Sequence, residues 1–184
     1  MENIFFDIGK LKALGQNVII GKTVRIRYPE LVEIGDNVII DDFTYISTAL
    51  KLHSNVHISS GCKIIGGKDS FVEMKEFSTL APNVVLSAGS DDYISGIATP
   101  MVPMKYKANA LIGRIILNKH CIVGAGSVVL PNVSFESGAC VGALSLVNKN
   151  LGEFKLYAGI PARFIKERNK QEIIYLENQF KNEQ

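Results

Sequence analysis

The chain has 184 residues, a length that suits one domain. Hydrophobic residues make up 47% of it and charged residues 21%, a balance that excludes a largely disordered chain. The formal net charge is +2 without a basic stripe, which argues against a nucleic-acid-binding protein. No apolar run approaches the roughly 18 residues of a membrane-spanning helix.

The N-terminal segment, residues 1–13, has apolar residues but no repeat. They are Ile4, Phe5, Phe6, Ile8 and Leu11. We expect this segment to cap the first coil of the fold, since an uncovered end would expose strand edges. The segment lacks the basic start, long apolar run and cleavage site of a secretory signal, so we expect a cytoplasmic protein.

From residue 14 to residue 141 an apolar residue recurs at every sixth position, with three shifts of register. These hexad anchors are Leu14, Ile20, Ile26, Ile34, Ile40, Ile46, Leu52, Ile58, Ile64, Met74, Leu80, Leu86, Leu111, Leu117, Val123, Val129, Phe135 and Val141. Six is a multiple of the strand period of two but not of the helical period of 3.6. The repeat therefore predicts short strands joined by tight turns.

The fourth residue after an anchor is usually small or β-branched. Such residues are Val18, Val24, Val38, Thr44, Val56, Cys62, Ser78, Val84, Cys121, Ser127, Val133, Ala139 and Ser145. This pattern fits a narrow core that both positions share. At three hexads per coil it predicts an all-β solenoid over residues 14–160, with about six coils and a length of roughly 29 Å.

The chain has three cysteines, an odd number without CxxC spacing. This predicts neither a zinc site nor a complete disulfide framework, and reduced thiols are expected. Cys62 and Cys121 occupy small inward positions and are expected in the core. Cys140 is at a position that can face outward, and nothing nearby in the sequence suggests an activated thiolate.

Three segments near the C-terminus resemble hexapeptide-repeat acyltransferases. They are Ile-Val-Gly-Ala-Gly-Ser-Val-Val-Leu-Pro-Asn-Val (122–133), Val-Gly-Ala-Leu-Ser-Leu-Val (141–147) and Tyr-Ala-Gly-Ile-Pro-Ala-Arg (157–163). The resemblance covers residues 14–168. It implies a left-handed parallel β-helix with a long loop extrusion, acetyl-CoA as cosubstrate, and a homotrimer with active sites between subunits.

The repeat is interrupted at residues 87–110, and a loop of this length in a compact domain is usually functional. Members of the family often carry a general-base histidine near its start, where this chain has Asp91 and Asp92. The segment Ser-Asp-Asp-Tyr-Ile-Ser-Gly (90–96) resembles acetyltransferases of bacterial surface-polysaccharide biosynthesis. This resemblance implies a nucleotide-linked amino deoxysugar, such as a dTDP-4-amino-4,6-dideoxyhexose, as acceptor.

Acetyl transfer requires a base that takes a proton from the attacking group, and histidine suits that role near neutral pH. His57 follows Val56 and precedes an anchor, so it should point outward, within reach of a neighbouring subunit's loop. We predict that His57 is the base, and that Asp91 and Asp92 orient it or bind the substrate's ammonium. His53 and Tyr93 are predicted to contact the substrate.

The resemblance also implies a path for CoA along the later coils. Gly124, Ala125, Gly142 and Ala143 are small enough for the pantetheine to approach the backbone. The C-terminal segment, residues 161–184, is predicted to be an amphipathic helix. Its start would place Arg163 and Lys166 near the CoA phosphates.

The sequence leaves three alternative functions open. A sugar O-acetyltransferase would have the same fold and donor. A non-catalytic scaffold would need neither the long loop nor the CoA-like C-terminal segment. A metal-dependent carbonic anhydrase would need three histidines around one metal. His53 and His57 are four residues apart and His120 lies several coils away, near the expected CoA path, so no metal site is predicted.

Overall fold

The computed structural model describes residues 3–183, so Met1, Glu2 and Gln184 of the predicted end segments lie outside the described residues. The chain forms a three-sided parallel β-solenoid followed by one helix, α1 (Lys170–Asn182). The solenoid is left-handed and has about seven turns. Three short 3-10 helices, at Ile8–Lys10, Pro29–Leu31 and Met104–Tyr106, interrupt the strands.

Each side of the prism is a stack of strands from successive coils. Face one contains β2 (Ile19–Ile20), β5 (Ile39–Ile40), β7 (His57–Ile58), β9 (Thr79–Leu80), β14 (Ile122–Val123), β17 (Cys140–Val141) and β19 (Lys155–Ala158), with β20 (Arg163–Glu167) antiparallel at its edge. Face two contains β3 (Arg25–Ile26), the first parts of β6 (Tyr45–Leu52) and β8 (Lys63–Met74), β10 (Val85–Ser87), β15 (Val128–Val129) and β18 (Leu146–Val147). Face three contains β1 (Ala13–Leu14), β4 (Val32–Ile34), the last parts of β6 and β8, β13 (Arg114–Leu117) and β16 (Val133–Phe135).

The hexad anchors form the core, as predicted. All of them are buried except Leu14 and Leu111, which are 45% and 42% exposed. Leu14 lies in the first coil, where β1 has a neighbouring coil on one side through β4. Leu111 belongs to a hairpin in the long loop, and the coil resumes at β13. The prediction was wrong at these two positions because Leu14 lies at the open end of face three and Leu111 lies outside the stack.

The sequence pattern indicated about six coils, and the structure adds a seventh, incomplete coil. Leu151 forms a bridge with Phe135 on face three, and β19 extends face one beyond β17. This last coil has no complete set of hexads. It is recognisable only because its backbone continues the parallel hydrogen bonding of the coil before it.

Asparagines line one corner of the prism in a left-handed backbone conformation. Asn17, Asn37 and Asn55 have φ of 51°, 54° and 60°, and each lies three residues after an anchor. Asparagine tolerates this conformation better than most residues. The Asn17 side chain donates a 2.8 Å hydrogen bond to Oδ1 of Asn37, so successive turns are tied together along the stack.

The N-terminal residues lie across the first coil. The Asn3 amide donates to the carbonyls of Gly21 and Val24 at 3.0 and 2.9 Å. Phe6 and Leu11 pack against the core. These contacts cover the apolar end of the stack.

The C-terminal helix begins later than predicted. Residues 163–167 form β20, which pairs antiparallel with β19, and the helix starts at Lys170 after the N-cap Asn169. The prediction of a helix from residue 161 was wrong because β19 offers an unpaired edge that the following segment satisfies. Within residues 3–183, no helix is long and apolar enough to span a membrane.

Helix α1 is fastened to the solenoid through Glu177. Its carboxylate accepts hydrogen bonds from His120 at 2.6 Å and Lys119 at 2.9 Å, and it pairs with Lys181. Burial raises the pKa of Glu177, but the hydrogen bonds from Lys181, His120 and Lys119 outweigh it and lower the pKa to about 2. His120 also stacks on Phe77, with ring centroids 5.1 Å apart. His120 is therefore engaged with α1 in the described chain.

Candidate active site

The long loop (residues 88–113) leaves the prism between faces two and three, after β10. Its two ends pair as an antiparallel hairpin of β11 (Gly89–Ser90) and β12 (Leu111–Ile112). The loop predicted at 87–110 is thus present, but Ser87 still belongs to β10 and the loop extends to residue 113. The hairpin joins the two ends of the loop by backbone pairing.

A short excursion (residues 66–70) lies beside this hairpin, inside β8. The Gly113 amide donates to the buried Ser70 hydroxyl at 3.3 Å. A β-carbon added at Gly66 would lie 2.8 Å from the Ser70 side chain, so the backbone here passes too closely for a larger residue. The sequence signal for this excursion was the four extra residues between the anchors Ile64 and Met74.

The short excursion and the long loop border a partly open cavity of about 770 Å³. Its lining residues are Ile65, Gly66, Gly67, Asp69, Ser87, Gly89, Ser90, Asp91, Tyr93, Ala98, Pro100, Met104, Lys107, Ala110, Leu111 and Ile112. This volume is that of a small-molecule site. A largely apolar wall with a few charged groups is suited to an organic ligand with a polar reacting end.

Asp91 and Lys107 are paired in the cavity wall. The Lys107 ammonium donates a 2.8 Å hydrogen bond to Oδ1 of Asp91. The Lys107 side chain is 10% exposed and that of Asp91 is 37% exposed. The carboxylate therefore remains accessible while the ammonium is enclosed.

Asp92, next in sequence, has a different environment. Its Oδ1 accepts from the amides of Ile94 and Ser95, and its Oδ2 accepts from the backbone and side-chain nitrogens of Asn109. The Ile94 backbone hydrogen bond, followed by those of Ser95 and Asn109, lowers the pKa of Asp92. Asp92 thus links the two arms of the loop by hydrogen bonds, whereas Asp91 lines the cavity.

Tyr93 lines the cavity as well and is 91% exposed.

His57 lies on face one, away from the wall of this cavity in the same chain. Its Nε2 is 2.9 Å from Oδ2 of Asp41, and the two side chains are 45% and 44% exposed. A carboxylate that holds an exposed imidazole is a recurrent general-base arrangement. Sequence reasoning missed Asp41, and within one chain the His57 ring contacts Asp41 instead of Asp91 or Asp92.

His53 lies at the next corner, between two carboxylates. Its Nε2 is 2.8 Å from Glu73 and its Nδ1 is 3.5 Å from Glu76. The three histidines thus have separate carboxylate partners. Among the described residues, no group of three His, Cys, Asp or Glu side chains is arranged to hold a metal ion.

The residues expected beside CoA lie in two stacked turns of face one. A β-carbon at Gly124 would lie 2.5 Å from the Ala143 nitrogen, so this glycine is required by the stacking of the coils themselves. Ala143 is exposed, and Ala125 and Gly142 are partly exposed. Arg163 and Lys166 are exposed on β20, at the C-terminal end of the same face.

All three thiols are free and buried, including Cys140. Burial raises the pKa of Cys62 to about 11 and that of Cys121 to about 12, and it raises the pKa of Cys140 as well. Cys140 lies in an outward strand position, but it is only 8% exposed. Buried thiols with raised pKa values are poor nucleophiles.

Comparison with known proteins gives several full-length similarities, although no protein-family model matches. A dTDP-4-amino-4,6-dideoxy-D-glucose acyltransferase of Escherichia coli is 36% identical, over 92% of this chain and 88% of that protein. The N-acyltransferase AntD of Bacillus cereus, solved with dTDP and 3-hydroxybutyryl-CoA, has a TM-score of 0.90 and 35% identity over 98% of both chains. A hexapeptide-repeat acetyltransferase of Vibrio cholerae shares only the fold, with a TM-score of 0.55 and 15% identity.

A left-handed β-helix with a loop-bordered cavity and these similarities define an acyltransferase of the hexapeptide-repeat class. Within that class, the chain belongs to the family that includes the dTDP-4-amino-4,6-dideoxy-D-glucose acyltransferase of Escherichia coli, and it is similar over its length to the N-acyltransferase AntD.

Proposed function

We propose that this enzyme transfers an acyl group, in the first instance acetyl, from acyl-CoA to the amino group of a dTDP-linked 4-amino-4,6-dideoxyhexose. One observation carries the proposal: the similarity to AntD extends over 99% of both chains, so it includes the long loop and the cavity as well as the solenoid. AntD has been solved in complex with dTDP-4-amino-4,6-dideoxyglucose and CoA.

The proposed reaction is a direct transfer. The acceptor's ammonium gives one proton to the base, and the freed lone pair attacks the thioester carbonyl. As the C–S bond breaks, a second N–H proton is passed to the departing sulfur, so that an amide forms and CoA leaves as the thiol. The buried cysteines support a route without a covalent acyl-enzyme, because none presents a ready thiolate.

We assign roles to the site residues on the basis of their environments. His57 is the general base, held by Asp41, and Asp91 in the cavity wall binds the acceptor's ammonium. Asp92 shapes the loop around them. Tyr93 and His53 contact the acceptor from the loop and from the corner next to face one.

We assign the cosubstrate acyl-CoA to the later coils of face one. The exposed turns at Gly124–Ala125 and Gly142–Ala143 would admit the pantetheine arm, and Arg163 and Lys166 would meet the phosphates. The thioester would then point along face one toward His57.

We propose a cytoplasmic homotrimer in which each site lies between subunits. Face one supports this because its outward side chains form a stripe in register, with Ile19, Ile39 and Ile122 at 55%, 37% and 37% exposure. His57 lies within this stripe, so a partner's loop could bring Asp91 to it. The free thiols agree with a reducing compartment.

Replacing Ile39 by glutamate is expected to break the trimer and to lower activity at least about 10-fold, because a buried, unpaired carboxylate disfavours assembly. Light scattering coupled to size-exclusion chromatography measures the mass of the particle. The matched control is Ser134→Glu, an outward position on face three. A variant Ile39→Glu that stays trimeric and active would contradict the proposed interface.

The assay for the proposed function follows the release of free CoA thiol. Acetyl-CoA and 3-hydroxybutyryl-CoA are each offered with dTDP-4-amino-4,6-dideoxyglucose and with the matched 4-hydroxy sugar. Release that depends on the amino group is the expected result. Release with the hydroxy sugar would indicate O-acylation instead. Absence of release, together with an unchanged melting temperature in acyl-CoA, would favour a non-catalytic scaffold.

A further inference from the structure

Lys107 carries an enclosed positive charge in the wall of the cavity. At 8% exposure it is the one charged residue among residues 3–183 that is buried as a whole. A lysine ammonium is rarely enclosed unless a partner compensates for the lost hydration. Here the partner is Asp91, whose carboxylate is itself open to the cavity.

The backbone that carries Lys107 is firmly held. Its amide donates to the Met104 carbonyl at 2.9 Å, at the end of a 3-10 helix. Its carbonyl packs against Gly96, where an added β-carbon would lie 2.4 Å from the oxygen. The ammonium is therefore presented from a fixed point of the loop.

The pair is not needed merely to close the loop, because other contacts already join its two arms. Asp92 accepts two hydrogen bonds from Asn109, and the Ile97 amide donates to the Tyr106 carbonyl at 3.1 Å. The Lys107–Asp91 ion pair is an additional contact between the two arms, located where the loop faces the cavity.

We propose that Lys107 is a positioning residue, which holds the Asp91 carboxylate in the orientation that accepts the acceptor's ammonium. Lys107 occupies Oδ1 of Asp91. Within residues 3–183 no hydrogen bond is made to Oδ2, which leaves this oxygen for the substrate. The inference rests on the proposed N-acyl transfer and adds a residue that acts through Asp91.

The test is a double-mutant cycle on the full-length enzyme, with kcat and KM measured for acetyl-CoA and dTDP-4-amino-4,6-dideoxyglucose. The variants are Lys107→Met, Asp91→Asn and the two combined. Lys107→Met is expected to lower kcat/KM about 10- to 100-fold, since misplacement of a binding group has effects of that size. In the Asp91→Asn background, the same change is expected to have less than about a 3-fold effect, because the residue it positions is gone.

Two further variants separate positioning from folding. Lys107→Arg keeps the charge and is expected to recover most of the activity lost in Lys107→Met. Lys105→Met, an exposed lysine two residues away and outside the cavity wall, is expected to match the wild type. If Lys107→Met does not fold, Lys107→Gln takes its place in the cycle, because it also removes the charge that holds Asp91 but keeps a polar end.

The outcomes are distinct. Equal losses from Lys107→Met with and without Asp91→Asn would overturn the positioning role, as would wild-type kinetics of Lys107→Met. In both cases acyl transfer by the wild type would stand. A wild type that does not acylate the amino sugar would overturn the proposed function and this inference with it.

Discussion

Replacing His57 by alanine is expected to lower kcat by about 10²-fold or more, because a positioned general base contributes on that scale. The side chain lies on the solenoid surface, so its removal leaves the core intact. Thiol release gives the rate, and light scattering tests whether the variant keeps the assembly state of the wild type, which we propose to be a trimer. Retention of both fold and acyl-CoA binding would separate loss of the base from loss of structure.

Asp41→Asn provides a graded comparison with His57→Ala. The amide would still accept or donate one hydrogen bond at the 2.9 Å contact, but it would not carry the charge that favours an imidazolium. We expect a smaller loss, about 10-fold, without a change in assembly. Unchanged turnover in His57→Ala would transfer the role of base to Asp91 or to the substrate itself.

The fold could be predicted from the sequence because every coil of a solenoid repeats the same pattern of inward side chains. An inward position recurs every sixth residue, so the anchors from Ile20 to Val141 report directly on the core. The pattern fails where the coil is absent: Leu111 keeps the spacing by coincidence inside a hairpin. It also says nothing about the edge of the stack, where residues 163–167 become a strand through pairing with β19.

Only part of the candidate site could be predicted from the sequence. Asp41 could have been found, since a coil of three hexads places Ile39 opposite His57, and residues 39 and 41 face the same side. The partnership of Lys107 with Asp91 has no such signal. Both residues lie in a loop without a period, so their contact depends on turns such as the one that ends at Lys107.

A second large loss of activity is expected from replacing Asp91, and the same replacement at Asp92 is the control. Asp91→Asn removes the charge that faces the cavity and is expected to lower kcat/KM for the amino sugar about 10²-fold, because the bound ammonium loses its counter-charge. The loss should be greater with the amino sugar than for any residual transfer to the matched hydroxy sugar. Thiol release with both acceptors makes the measurement.

Asp92→Asn changes the same atoms one residue further along, in a different environment. The new amide keeps an oxygen for the Ile94 and Ser95 amides but loses the two hydrogen bonds from Asn109. We expect a loosened loop and a loss of less than about 10-fold, since a few local hydrogen bonds change while the charge at the cavity remains. If Asp92→Asn were the more damaging variant, the division of roles between the two carboxylates would be reversed. Asp92 would then have to give up its hydrogen bonds within the loop and turn toward the substrate during the reaction.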